Sequence, residues 1–167
     1  NAVHAGASVV RVTVEVRDWL RLAVEDDGPG LPDAPEKVLD PFYTTKSGKR
    51  TGLGLSLFRG AAERAGGGFE VARSELGGLA VTAAFGLNHI DRAPLGDLAG
   101  TFFTVVMANP AIDFWCRVRC GEEEVNVRTT GVVMELGDAA GDDFTVAKAV
   151  AGAVREALNR LPGPARE

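Results

Sequence analysis

Between residues 8 and 17 apolar and polar positions alternate, with Val10, Val12, Val14 and Val16 set against Arg11, Thr13, Glu15 and Arg17. That period of two predicts a half-buried strand. Asp18 marks a turn, and residues 19–25 resume the alternation with Leu20, Leu22 and Val24 on one face, which predicts a hairpin. Residues 27–51 keep no period and are rich in Gly, Pro, Asp, Lys and Thr. A loop that long inside a compact domain is usually functional. From about Gly52 the spacing becomes helical, with Leu55, Phe58, Ala62 and Ala65 on one face and Gly66, Gly67 and Gly68 as the stop. Residues 69–73 and 79–85 predict a second hairpin around Gly77 and Gly78.

The pattern changes near residue 88, which divides the chain into 1–88 and a small α+β region, 89–167. The second region reads α-β-β-α. Its first helix starts near Pro94, a residue suited to a first helical turn, and carries Leu95, Leu98, Phe102, Val105 and Val106 as far as Asn109 and Pro110. Two strands follow, at about 112–119 and 123–129, in a hairpin around Cys120 and Gly121. The last helix is expected at about 143–161, with Ala147, Val150, Ala151, Val154 and Leu158 facing inward.

Composition narrows the classes. At 167 residues, 46% hydrophobic and 25% charged, the chain has the make-up of a globular protein of one domain or two small ones. No apolar run reaches membrane-spanning length and no leader pattern opens the sequence, so a cytoplasmic protein without membrane contact is expected. A net charge of −5 argues against nucleic acid as a partner. Cys116 and Cys120 lie about 13 Å apart on an extended segment, too far to bridge, and are read as reduced thiols. Glu122, Glu123 and Glu124 read as a solvated turn.

Glycine is the outlier, with 21 residues, and its clusters permit tests for nucleotide motifs. A phosphate-binding P-loop fails at two positions, because Tyr43 and Arg50 stand where Gly and Ser or Thr are needed. A dinucleotide fingerprint fails because Gly28-Pro29-Gly30 is followed by Asp33, and Gly52-Leu53-Gly54 by Leu57. A different order remains: Asn1-Ala2-Val3-His4-Ala5-Gly6-Ala7, then Asp26-Asp27-Gly28-Pro29-Gly30 straight after a strand, Phe42-Tyr43-Thr44-Thr45-Lys46 in the long loop, and Thr51-Gly52-Leu53-Gly54-Leu55 opening the helix.

Together these four segments resemble the histidine-kinase-like ATPase superfamily, the Bergerat fold, over about residues 1–86. The resemblance implies a two-layer α/β sandwich, helices on a mixed sheet, with the α-β-β-α region appended. It implies ATP and Mg²⁺ as ligands, with Asn1 on the metal, Asp26 on the adenine amino group, and Gly28 and Gly30 shaping the pocket. Lys46, Gly52 and Gly54 then attend the phosphates, and Thr51, Leu53 and Leu55 complete the ATP-binding residues. The chemistry agrees: a strand-end carboxylate accepts from an amino group, glycines permit close backbone turns, and a helix start offers N–H groups to phosphate. An Asn oxygen is a hard ligand of the kind Mg²⁺ takes. Three departures from the family pattern stand out. A hydrolytic carboxylate would lie four residues before Asn1, Arg50 replaces a frequent glycine, and Leu79 stands where threonine is common after Gly78.

The activity implied is phosphoryl transfer to a protein in signalling. The alternative is a non-catalytic switch whose segment 33–51 orders on nucleotide; a mismatch-repair-type ATPase ranks third. ATP and a protein, a second copy of the chain included, are the expected partners. His89-Ile90-Asp91-Arg92-Ala93-Pro94-Leu95 resembles a phosphoacceptor box in its His, Arg, Pro and Leu spacing, although it follows the ATPase motifs. His89 is therefore the candidate acceptor, with a linker residue as the simpler reading, while His4 reads as a surface or packing residue. Residues 89–161 also resemble the tail of small standalone bacterial ATP-binding proteins, which implies no defined chemistry.

Overall fold

The computed structural model describes residues 2–30 and 53–166. Six strands form one mixed sheet: β1 (Val9–Val16), β2 (Trp19–Asp26), β3 (Phe69–Arg73), β4 (Leu79–Gly86), β5 (Asp113–Cys120) and β6 (Glu123–Arg128), in the order β3-β4-β2-β1-β5-β6. The described helices are α1 (Leu53–Arg64), α2 (Leu98–Ala108), α3 (Thr129–Leu136), α4 (Asp143–Leu158) and the short α5 (Gly163–Arg166), with single 3₁₀ turns at Val3–Ala5 and Gly137–Ala140.

All three expected hairpins form as antiparallel pairs: β1 with β2, β3 with β4 and β5 with β6. The pair between β1 and β5 is parallel, running from Val9 opposite Asp113 to Val16 opposite Cys120. A parallel pair needs a crossover, and α2 lies within it. The sheet thus continues from the first sequence region into the second.

Register sorts the side chains. Val10, Val14, Val16, Leu20, Ala83, Phe85, Phe114, Cys116, Val118 and Val127 fall on one face and are buried under the helices. Arg11, Thr13, Glu15, Glu25, Trp115, Arg117 and Asn126 fall on the other. The result is a two-layer α/β sandwich. Small residues on the helices, Ala62, Ala147 and Val150, are fully buried, as is Ala65 just past the end of α1, and let the helices sit close to the strands.

Helix α1 is fixed at its end as well as along its face. Phe58 packs its ring 5.9 Å from both Phe69 and Phe85. Gly66 turns left-handed at φ +70, and the Gly67 N–H donates to the Ala62 carbonyl at 2.9 Å, the closure of a Schellman-type end. A Cβ on Gly67 would lie 1.8 Å from the Ala84 oxygen, so this turn lies flush against β4.

Three boundaries differ from the sequence reading. Helix α2 begins at Leu98 rather than near Pro94, because Gly96 is left-handed and the Asp97 carboxylate accepts the Gly100 N–H at 2.8 Å. Helix α4 ends at Leu158, before Leu161. Helix α3 falls where the sequence predicts the tail of a strand and a loop. Its cap comes from another strand: Asp113 accepts from the Thr130 N–H and hydroxyl, both at 3.2 Å, and from Arg128 Nε at 2.5 Å.

Candidate nucleotide site

β2 leaves the sheet at Asp26 because Gly28, Pro29 and Gly30 follow, and Gly30 takes φ +78. Asp26 is only 6% exposed. Its Oδ1 accepts the Gly28 N–H at 3.0 Å and the Leu79 N–H at 3.1 Å, and its backbone carbonyl accepts the Gly78 N–H at 3.0 Å. No described residue donates to Oδ2. A buried carboxylate held on one oxygen and open on the other is set to accept one further strong hydrogen bond.

The walls are backbone and methyl groups. A Cβ on Gly28 would meet Asp26 Oδ1 at 3.1 Å and the methyl carbons of Ala5 and Ala7 at 3.8 Å. A Cβ on Gly78 would lie 2.2 Å from Asp26 Oδ1, and the Gly78 oxygen lies 3.7 Å from the Cβ position of Gly30. Val24, one step along the same face of β2, is 37% exposed beside buried Val81 of β4. The site therefore combines a carboxylate, glycine backbone and an apolar strip, a setting for a flat ring carrying an amino donor.

Asp27, its neighbour in the sequence, faces the other way. Its Oδ1 accepts the N–H groups of Ser8 at 2.7 Å and Val9 at 2.8 Å, which ties the start of β1 to the end of β2. The Val3–Ala5 turn thereby stays beside Gly28, with Ala5 on one of its walls.

The structure brings Asp26, Gly28 and Gly30 together. Asn1, Lys46, Thr51 and Gly52 lie outside the described residues, as does the whole of segment 33–51. Leu53 opens α1, Gly54 is exposed with open space where a Cβ would stand, and Leu55 is half-buried. His89 lies elsewhere. It follows β4, whose end at Gly86 pairs with Trp19, the far end of β2 from Asp26. Seven strand residues separate the two ends, about 23 Å. The His89 ring, 37% exposed, lies over Gly66 and accepts the Asp91 N–H on Nδ1 at 3.2 Å. His4 is exposed.

Sequence reasoning passed over Gly78 as a site residue, because its role depends on a contact with Asp26. The Asp26–Leu79 bond is made by a backbone N–H, so it survives leucine at the position where the family commonly has threonine. Arg11 was read as a solvent-facing strand residue. It is instead buried, pairing with Glu25 through Nε at 2.8 Å and Nη2 at 2.7 Å and with Glu75 through Nη2 at 2.8 Å. Hydrogen bonding to Glu25, then to Glu75, outweighs desolvation and raises the Arg11 pKa; the Arg11 hydrogen bond lowers that of Glu75. Only an alternating strand that carries several charges hints at such a network.

Residues 1–89 match the family described as histidine kinase-, DNA gyrase B-, and HSP90-like ATPase. The chain is 48% identical over 62 residues to the sensor kinase CckA of Brucella abortus, covering 36% of this chain and 6% of that protein. It is 40% identical over 98 residues to the sensor protein kinase CarS of Pseudomonas aeruginosa, covering 56% and 22%. The chain thus spans less than a quarter of the length of these relatives. Among solved structures it is similar to the ATP-binding domain of PrrB from Mycobacterium tuberculosis, at 25% identity and a TM-score of 0.40 over 51% of this chain and 57% of that one. Among the described residues, no helix is long and apolar enough to cross a membrane.

Proposed function

Because the chain belongs to the histidine kinase-, DNA gyrase B- and HSP90-like ATPase family and carries its ATP-binding domain over residues 1–89, we propose that it binds Mg-ATP at Asp26 and serves phosphoryl transfer to a protein in signalling. The observation that carries the reading is the Oδ2 of Asp26, without a donor among the described residues, beside a glycine cradle too tight for a side chain. Oδ2 accepts the adenine amino group, Gly28, Gly30 and Gly78 leave room for the ring, and Val24 and Val81 lie under it. Lys46, Gly52 and Gly54 hold the phosphates, with Thr51, Leu53 and Leu55 as the remaining ATP-binding residues. Asn1 offers its side-chain oxygen to Mg²⁺. The bound metal neutralises phosphate charge; the chain's own groups bind and orient the nucleotide.

Residues 1–88 act as the nucleotide-binding unit, and 89–167 as an α+β appendage that extends its sheet. A cytoplasmic location follows from the ATP requirement. The protein partner is a separate chain or a second copy of this one.

A second reading, an ATP-gated switch without transfer, draws on the position of His89. It lies a full strand length from Asp26, so this chain's candidate acceptor is remote from its own nucleotide. Two measurements decide. Titration with a fluorescent ATP analogue, displaced by ATP, tests binding. Incubation with γ-labelled ATP and candidate partners separates transfer from switching, and retention of all label in ATP excludes transfer to those partners.

A further inference from the structure

The face of the sheet away from the helices carries a network that reaches the candidate site from behind. Arg11 of β1 grips both carboxylate oxygens of Glu25, the residue before Asp26, and also the carboxylate of Glu75. Glu75 belongs to the turn between β3 and β4, which is closed by Ser74 N–H to the Gly78 carbonyl at 2.9 Å and Gly77 N–H to the Ser74 carbonyl at 3.0 Å. The same turn delivers the Gly78 and Leu79 N–H groups to Asp26. Arg11 in turn lies 4.9 Å from the ring centroid of Trp115, on β5 of the second region.

We propose that Arg11 is a positioning residue for the nucleotide: through Glu75 it holds the 74–78 turn against Asp26, fixing Oδ1 so that Oδ2 meets the ring's amino group. The nucleotide part of this proposal rests on the reading of the site given above. The anchor differs on its two sides. Glu25 is tied at both oxygens beside a guanidinium whose side chain is 5% exposed, while Glu75 is 79% exposed and is held by Arg11 alone among the described residues. Glu75 is therefore the point at which the clamp can be opened with little loss of fold, since an exposed ion pair contributes little to stability. Trp115 stacks on Arg11 and brings residues 89–167 into contact with the clamp, which gives the second region a physical link to the site.

The test uses the full chain as wild type, Glu75→Ala and Trp115→Leu. Amide hydrogen exchange at Gly78 and Leu79 reads the clamp without nucleotide. Affinities for ATP and for inosine triphosphate, which lacks the amino group, read its consequence. In Glu75→Ala the Leu79 amide should exchange about two- to fivefold faster, the range an exposed ion pair can supply, while amides of β1 and β5 and the melting temperature stay unchanged. The preference for ATP over inosine triphosphate should fall about two- to threefold. Trp115→Leu should shift both readouts the same way to a smaller extent. Unchanged Leu79 protection in Glu75→Ala overturns the clamp. Faster exchange with an unchanged ATP preference overturns its role in positioning. A wild-type chain that binds neither nucleotide overturns the reading of the site, and the exchange data still decide whether the clamp holds the turn.

Discussion

Gly78 lies so close to Asp26 that a Cβ added to it would stand 2.2 Å from Oδ1 and 2.6 Å from the Asp26 carbonyl oxygen. Neither neighbour is the end of a flexible chain: Oδ1 is pinned by two backbone N–H groups and the carbonyl belongs to β2. Gly78→Ala should therefore push the β3–β4 turn away from the carboxylate. Overpacking of this kind costs about 1–3 kcal/mol, and nucleotide affinity should fall along with it. Gly77→Ala supplies the contrast. At φ +108 it is strained, but among the described residues no atom lies within 4 Å of the added carbon. Urea unfolding and ATP titration of the two variants should show both less stable and only Gly78→Ala with a damaged site.

The two cysteines should behave differently. Burial pushes the Cys116 thiol up to about 12, whereas Cys120 is only half-buried. Iodoacetamide at neutral pH should label one site per folded chain, Cys120, and both after unfolding. The sign of the linkage is also fixed. The folded state keeps the Cys116 proton when the unfolded chain, near the ordinary value of 9.0, has lost it. The stabilisation is full below that value and drains away as pH rises towards 12. Cys116→Ala should flatten that part of the stability profile.

Helix α3 should depend on Asp113. The carboxylate receives the Thr130 N–H and hydroxyl together with Arg128 Nε. Asp113→Ala removes the cap, at about 1 kcal/mol for an interaction of this kind. Faster amide exchange confined to 129–136 and the contacting part of β6 would confirm the cap. Uniform loss of protection would contradict it.

His89 supplies a kinetic prediction. His89 lies beside Gly66, past the end of α1, and the proposed phosphate end of the site is at the other end of that 12-residue helix, about 18 Å away, so label on this histidine is expected to come from another chain's nucleotide. The label should be acid-labile, absent in His89→Ala, present in His4→Ala, and should form at a rate per chain that rises with protein concentration. A concentration-independent rate would contradict the geometry, and no label at all would remove His89 as an acceptor.

Much of the fold was legible because it is written in local periods. The alternation of Val10 to Val16 and of Leu20 to Val24, the glycine stop after Ala65 and the turn at Gly77 and Gly78 each fix an element from its own residues. What was not legible depends on partners distant in the chain. Arg11 reads as a solvated strand position until Glu25, Glu75 and Trp115 close on it from 14, 64 and 104 residues away. Helix α3 has no local cap, because its cap is on β5. The parallel pairing of β1 with β5 leaves no mark in either strand, since both alternate as any half-buried strand does. In the site, Asp26 announced itself through the glycines that follow it. Gly78 did not, because its neighbour in space is 52 residues back along the chain.

The most direct measurement is calorimetric titration of the wild-type chain and Asp26→Asn with a non-hydrolysable ATP analogue and Mg²⁺, with thermal unfolding of both as the control. The amide keeps one oxygen for the Gly28 and Leu79 N–H groups but replaces the second acceptor with a donor. Loss of a charge-assisted hydrogen bond of about 1.5–3 kcal/mol should weaken binding about 10- to 100-fold with the fold retained. Equal affinity in the two proteins, or no binding by a folded wild type, would contradict the assignment of this site to ATP.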